Sequence, residues 1–142
     1  MASYVKFEAF SEGLVKAEHN FGTSTFKILL SNGAVSASGD TNKADLTSEL
    51  GTANGYTAGG TATTISISRA GGTTTVDATN VVFTASGGSI GPFQYAILYN
   101  DTHASDALVC YWDYGTAVTI TDGNTFTVDT GAGTGNDLFT LA

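Results

Sequence analysis

Basic residues are scarce in this chain: five Lys and Arg stand against 13 Asp and Glu, for a net charge of −8 over 142 residues. Lys6, Lys16, Lys27, Lys43 and Arg69 are scattered, whereas binding a phosphate backbone takes clustered cations. No nucleic-acid partner is expected, and an anionic membrane surface is disfavoured for the same reason. There is one cysteine, Cys110, which leaves no intramolecular disulfide framework. Its apolar setting, Leu108-Val-Cys-Tyr-Trp112, reads as a small buried filler. No run of about 18 apolar residues is present to span a bilayer. Met1-Ala-Ser-Tyr-Val-Lys-Phe-Glu has no charged segment leading into an apolar one, so the expectation is synthesis and assembly in a cytoplasm. The one proline, Pro92, is expected to mark a strand entrance.

Charged residues make up 13% of the chain, about half the ~25% of ordinary soluble domains. Threonine, serine and glycine fill the gap. Threonine suits a half-exposed pleated surface, and the 18 glycines supply tight turns. With 42% hydrophobic residues the composition is that of a folded chain rather than a disordered one. Its length predicts a single β domain over 1–142.

Phe7, Phe10, Leu14 and Ala17 fall three or four apart, which suits one face of a short helix, although Tyr4 to Phe7 can also begin as a strand. Residues 1–24 are thus read as a short helix or an N-terminal arm, with Tyr4, Phe7, Phe10 and Leu14 as candidate partner-binding residues. Thr25 to Leu30 predicts a buried strand. Lys43 to Leu50 predicts a short helix with Leu46 and Leu50 on one face, stopped by Gly51. Gly51 to Gly60 is a loop.

Beyond Gly60 the period becomes two. Thr61 to Arg69 and Thr73 to Asp77 predict a hairpin, and Val81 to Ala85 a strand. In Phe93 to Tyr99, Phe93, Tyr95, Ile97 and Tyr99 share one face and Ala96 and Leu98 the other, so this strand is expected to be central. Leu108 to Tyr114 pairs with it. Val118 to Ile120 and Thr125 to Val128, joined through Asp122-Gly123, predict a further hairpin. Gly131 to Gly135 reads as a long connection and Leu138 to Leu141 as a last strand. The fold expectation is all-β, a β-sandwich or jelly-roll-like body of about eight short strands with one or two short helices.

Residues with chemical potential form no known pattern. His19 and His103 lie far apart in sequence, and zinc needs three or four converging ligands. Asp101-Thr-His103-Ala-Ser-Asp106 contains a Ser, a His and two Asp, but triads converge from distant elements, and this segment reads as a hairpin loop. Asp40, Asp45, Asp101, Asp106, Asp113 and Asp122 lack the spacing of a twelve-residue calcium loop. Gly55-Tyr-Thr-Ala-Gly-Gly60 lacks the Lys-Ser/Thr of a phosphate loop. Asp113, between Trp112 and Tyr114, is the best single candidate for a glycan hydrolase. Its simpler reading is an outward strand residue. No catalytic, cofactor-binding or metal residue is assigned, and no cofactor is expected.

Four segments in order, Thr25-Phe-Lys-Ile-Leu-Leu30, Asn54-Gly-Tyr-Thr-Ala-Gly-Gly60, Tyr95-Ala-Ile-Leu-Tyr-Asn-Asp101 and Tyr111-Trp-Asp-Tyr-Gly115, resemble those of small tailed-bacteriophage virion proteins that serve as capsid cement, or decoration, proteins. The likeness runs from about His19 to Leu141. It implies a β-sandwich or jelly-roll body on the outer capsid surface. Such a body would bridge major capsid protein subunits as a homo-oligomer, a trimer being favoured. The alternative is a glycan- or receptor-binding module of a phage tail or fibre. The resemblance transfers no functional residue.

Overall fold

The computed structural model describes residues 2–131 and 137–142. The expected connection at Gly131 to Gly135 lies largely outside them. The chain is mostly β: β1 (Ser3–Lys6), α1 (Glu8–Val15), β2 (Phe26–Ser31), β3 (Thr61–Thr63), β4 (Ile65–Ala70), β5 (Thr73–Ala78), β6 (Val81–Thr84), β7 (Ile90–Asn100), β8 (Leu108–Ile120), β9 (Thr125–Val128) and β10 (Asp137–Leu141). The strands form an antiparallel five-stranded sheet β1-β8-β7-β2-β3, a three-stranded sheet β10-β5-β4 and the pair β6-β9. This is the expected all-β, sandwich-like fold, with more strands than the turn signals suggested. No helix among the described residues is long and apolar enough to cross a membrane.

The central position of β7 follows from its two apolar faces. Ala96 and Leu98 join Phe26, Ile28, Leu30, Cys110 and Trp112 in the main core, which also takes Val76, Phe83, Val128 and Leu138 from the smaller sheets. Ile97 and Tyr99 point the other way, into a second core with Phe7, Leu29, Leu108 and Tyr111. Val35, Ala37 and Leu46, from the connection after β2, pack on that second core. Burial of each such side chain contributes about 1.5–3 kcal/mol, so two apolar faces hold this sheet at the centre.

Phe93 departs from the expected alternation and lies in the main core with Ala96 and Leu98. Its partner is Val118 while that of Tyr95 is Asp113, and the register shift between them flips the phenylalanine to the opposite face. Pro92 stands inside β7, just before this shift, and not at the strand entrance.

Two further expectations are corrected. Lys43 to Leu50 is not a helix: only a 3₁₀ turn forms at Lys43–Asp45. The Asp45 carboxylate accepts from the Thr41 and Asn42 amides at 2.9 Å each. The rest of the segment runs beside β2, where Ser48 accepts from the Asn32 N–H and the Leu50 N–H donates to Leu30. Sheet pairing wins over helix propensity because it satisfies the same backbone groups while sending Leu46 and Leu50 into different cores. The second correction concerns β9. It pairs with β6, from Val81↔Val128 to Thr84↔Thr125, rather than folding back on the end of β8. The turn at Thr121 to Asn124 therefore carries the chain between sheets.

Candidate functional site

Tyr4, Phe7, Phe10 and Leu14 are brought together, but inside this chain. The first residues form β1, paired with β8 from Ser3↔Asp113 to Lys6↔Cys110. The Phe7 N–H then donates to the Val109 carbonyl at 3.1 Å as α1 begins. Phe7 is fully buried against Tyr111, and Phe10 packs among His19, Phe21 and Phe139. Tyr4 meets Trp112 edge-on, and Leu14 leans on the main core. Residues 3–15 are therefore an edge strand and a packed helix, so of the two readings of residues 1–24 the short helix is the one formed. Phe7 and Phe10 have no surface left to offer a neighbour, while Tyr4 and Leu14 are half-buried.

The candidate chemical groups are tied into local structure. Asp113 Oδ1 accepts from Gln94 Nε2 at 2.9 Å and from the Gly115 N–H at 2.7 Å, which braces β8 beside its irregular segment. Asp40 caps the turn at Ser36, Asp122 accepts from the Gly87 N–H, and Asp101 pairs with Lys27 at 3.0 Å. Among the described residues no group of three or more His, Cys, Asp or Glu is placed to hold a metal ion. In the β7–β8 loop His103 Nδ1 accepts from the Ser105 N–H at 3.3 Å, a local turn bond. Cys110 is wholly buried, and loss of hydration pushes its thiol far above the ordinary range, against formation of the thiolate.

Two juxtapositions were not visible in the spacing. His19 and His103, distant in sequence, line one cleft of about 310 Å³ with Glu12, Lys16 and Glu18. Asp77 and Asp137 face each other across β5 and β10, and the facing carboxyl of Asp137, together with loss of hydration, raises the Asp77 carboxyl above its usual range. Because the folded-state value is raised, this pair opposes folding at neutral pH and the opposition fades as pH falls through that value. Asp77→Asn is expected to raise the thermal midpoint near neutral pH, with the gain shrinking in acid. A midpoint unchanged or lowered at neutral pH contradicts the raised Asp77 carboxyl.

The surface with docking character is the β4–β5 hairpin. Opposite residues of paired strands share a face, so the register Ile65↔Ala78, Ile67↔Val76, Arg69↔Thr74 traces one row from the core outward. Ala78 and Val76 are buried, whereas Ile67 is 50% exposed and Arg69 lies in the open. The adjoining β10 continues the row through Leu141, 59% exposed and paired with Thr74. The hairpin thus overhangs the body. Among the described residues its outer strand β4 has no neighbour on one side, which leaves an open row of backbone donors and acceptors there. From Thr61 to Val76 the only charged side chain is Arg69. Sequence alternation placed Ile65 and Ile67 on one face; that the core ends between them was not legible. Comparison with protein-family models, curated proteins and solved structures gives no match.

Proposed function

We propose that this chain is a non-catalytic virion protein that binds the outer surface of a phage capsid and stabilises the shell by bridging major capsid protein subunits. The observation that carries the reading is the overhanging β4–β5 hairpin, with its open edge strand and exposed Ile67 and Leu141. Folded chains usually shield such an edge with charges, proline or a covering element. Here it is bare and nearly uncharged, as suits strand addition to a partner. The likeness of the Asn54 to Gly60 loop and the Tyr95 to Asp101 strand to capsid cement proteins supplies the partner and the virion location.

A clamp of this kind needs only complementary area, at least about 1,000 Å² for a stable contact. If the chain oligomerises, several modest contacts multiply through effective concentration by about 10²–10⁴. The shell is stabilised because the clamp binds the assembled state in preference to the dissociated one. A glycan-binding role has less to stand on, since every aromatic ring among the described residues is buried or half-buried and none stands free as a stacking platform.

Adding the purified chain to capsids that lack it is expected to raise their disruption temperature. Ile67→Lys, which changes an exposed side chain, is expected to fold normally and to remove that protection. An undisturbed disruption temperature at saturating protein contradicts the reading.

A further inference from the structure

The His19 side chain is 6% exposed and its neighbour Asn100 is 1% exposed. Around them the N-terminal segment meets the β7–β8 loop, and the hydrogen bonds fix both amide and imidazole. Asn100 Oδ1 accepts from the backbone N–H groups of Thr102 (3.1 Å) and His103 (3.3 Å), which can only donate. The amide is therefore oriented with Nδ2 on the other side, where it donates to the Glu18 carbonyl at 3.0 Å and faces His19 Nδ1 at 3.4 Å. A donor facing Nδ1 requires that nitrogen to be an acceptor, so His19 is neutral with its proton on Nε2. Nε2 lies over Gly13, where a Cβ would sit 3.1 Å from it and 2.8 Å from Glu18 Oε2. The ring is stacked between Phe10 and Phe26, with centroids at 5.1 and 6.2 Å.

We propose that His19 and Asn100 form an acid-released latch between the turn at Glu18 to Asn20 and the loop at Asp101 to Asp106. A proton bound at Nδ1 sets N–H against N–H, and Asn100 cannot rotate to accept it without turning its NH₂ onto two backbone donors. The contact then opens, and the turn and the loop part while the strands beneath stay folded.

The charged and titratable groups around the ring are Glu18 beside it, Glu12 and Lys16 on α1, His103 in the loop, and the Lys27–Asp101 pair where β2 meets that loop. Burial lowers the His19 value below that of a free imidazole, Glu18 opposes this and His103 adds to it. With the folded-state value lowered, the latch is fully closed above the free-histidine value of about 6.5. Its contribution is lost as pH falls through the folded one.

Hydrogen exchange of the full chain, corrected for intrinsic rates, is expected to run roughly tenfold faster at about pH 4.5 than at about pH 7.5 in both segments, with β2 and β7 unchanged. His103→Gln is expected to keep this response and His19→Gln to abolish it. Asn100→Asp supplies an acceptor for Nδ1–H, so the midpoint of the His19 ring resonances is expected to move up by about one pH unit. Equal exchange at both pH values overturns the latch, as does an acid response that survives in His19→Gln or disappears in His103→Gln. Should His19→Gln not fold, an unshifted His19 midpoint in Asn100→Asp overturns it. The measurement uses the isolated chain, so its outcome is independent of capsid binding.

Discussion

Gly60→Ala is expected to lower the unfolding free energy by more than about 3 kcal/mol, or to prevent folding. Gly60 sits at φ +79°, a conformation that L residues with a side chain rarely adopt. The space is also closed: an added Cβ would overlap the Ile28 carbonyl oxygen and lie 2.7 Å from Leu29 Cα, both backbone atoms of the central sheet. Neither can yield without breaking the β2–β3 register, in which Ile28 pairs with Thr61. The preceding residue is pinned as well, since the Gly59 carbonyl accepts from Tyr99 Oη at 2.6 Å and its N–H donates to Glu49. Gly72→Ala is the matched control: no atom lies within 4 Å of its added Cβ, and a change of no more than about 0.5 kcal/mol is expected. Denaturant unfolding of the two variants measures the contrast, and equal midpoints contradict the close approach at Gly60.

Phe7→Ala is the second large effect, with an expected loss of about 3–5 kcal/mol. The side chain is fully buried, and its ring centroid lies 5.1 Å from that of Tyr111. Truncation leaves a cavity between β8 and the second core and loosens the junction of β1 with α1. Val15→Ala, on the same helix but 88% exposed, is expected to change stability by less than about 0.5 kcal/mol. A free arm predicts the opposite: Phe7→Ala would leave the unfolding curve in place.

These two residues show what was legible in the sequence. Alternation at Tyr95 to Tyr99 announced the central strand because both its faces are apolar, and burial of both faces is what makes a strand central. The spacing of Phe7, Phe10 and Leu14 was read as one helix face, but only Phe10 and Leu14 lie on α1 and pack on the main core. Phe7 precedes the helix in extended backbone and enters the second core, and spacing does not say whether the surface it covers belongs to the same chain. The helix expected at Lys43 to Leu50 failed because Leu46 and Leu50 serve different cores, a tertiary fact. Pairing of β9 with β6 was hidden for a related reason: the Asp122-Gly123 turn is local, whereas the choice of sheet depends on which edge is free. The latch escaped because Asn100 and His19 stand 81 residues apart and neither carries a motif. Overhang of the β4–β5 hairpin was likewise invisible, since alternation specifies a face and not where the core beneath it ends.

The clamp itself is tested most directly by imaging intact virions that contain this chain, at a resolution that resolves strands. The account predicts density for it on the outer shell, repeated at symmetry-related positions, with the β4–β5 hairpin against major capsid protein subunits. Density confined to the tail, or a shell whose outer face is bare, would contradict it.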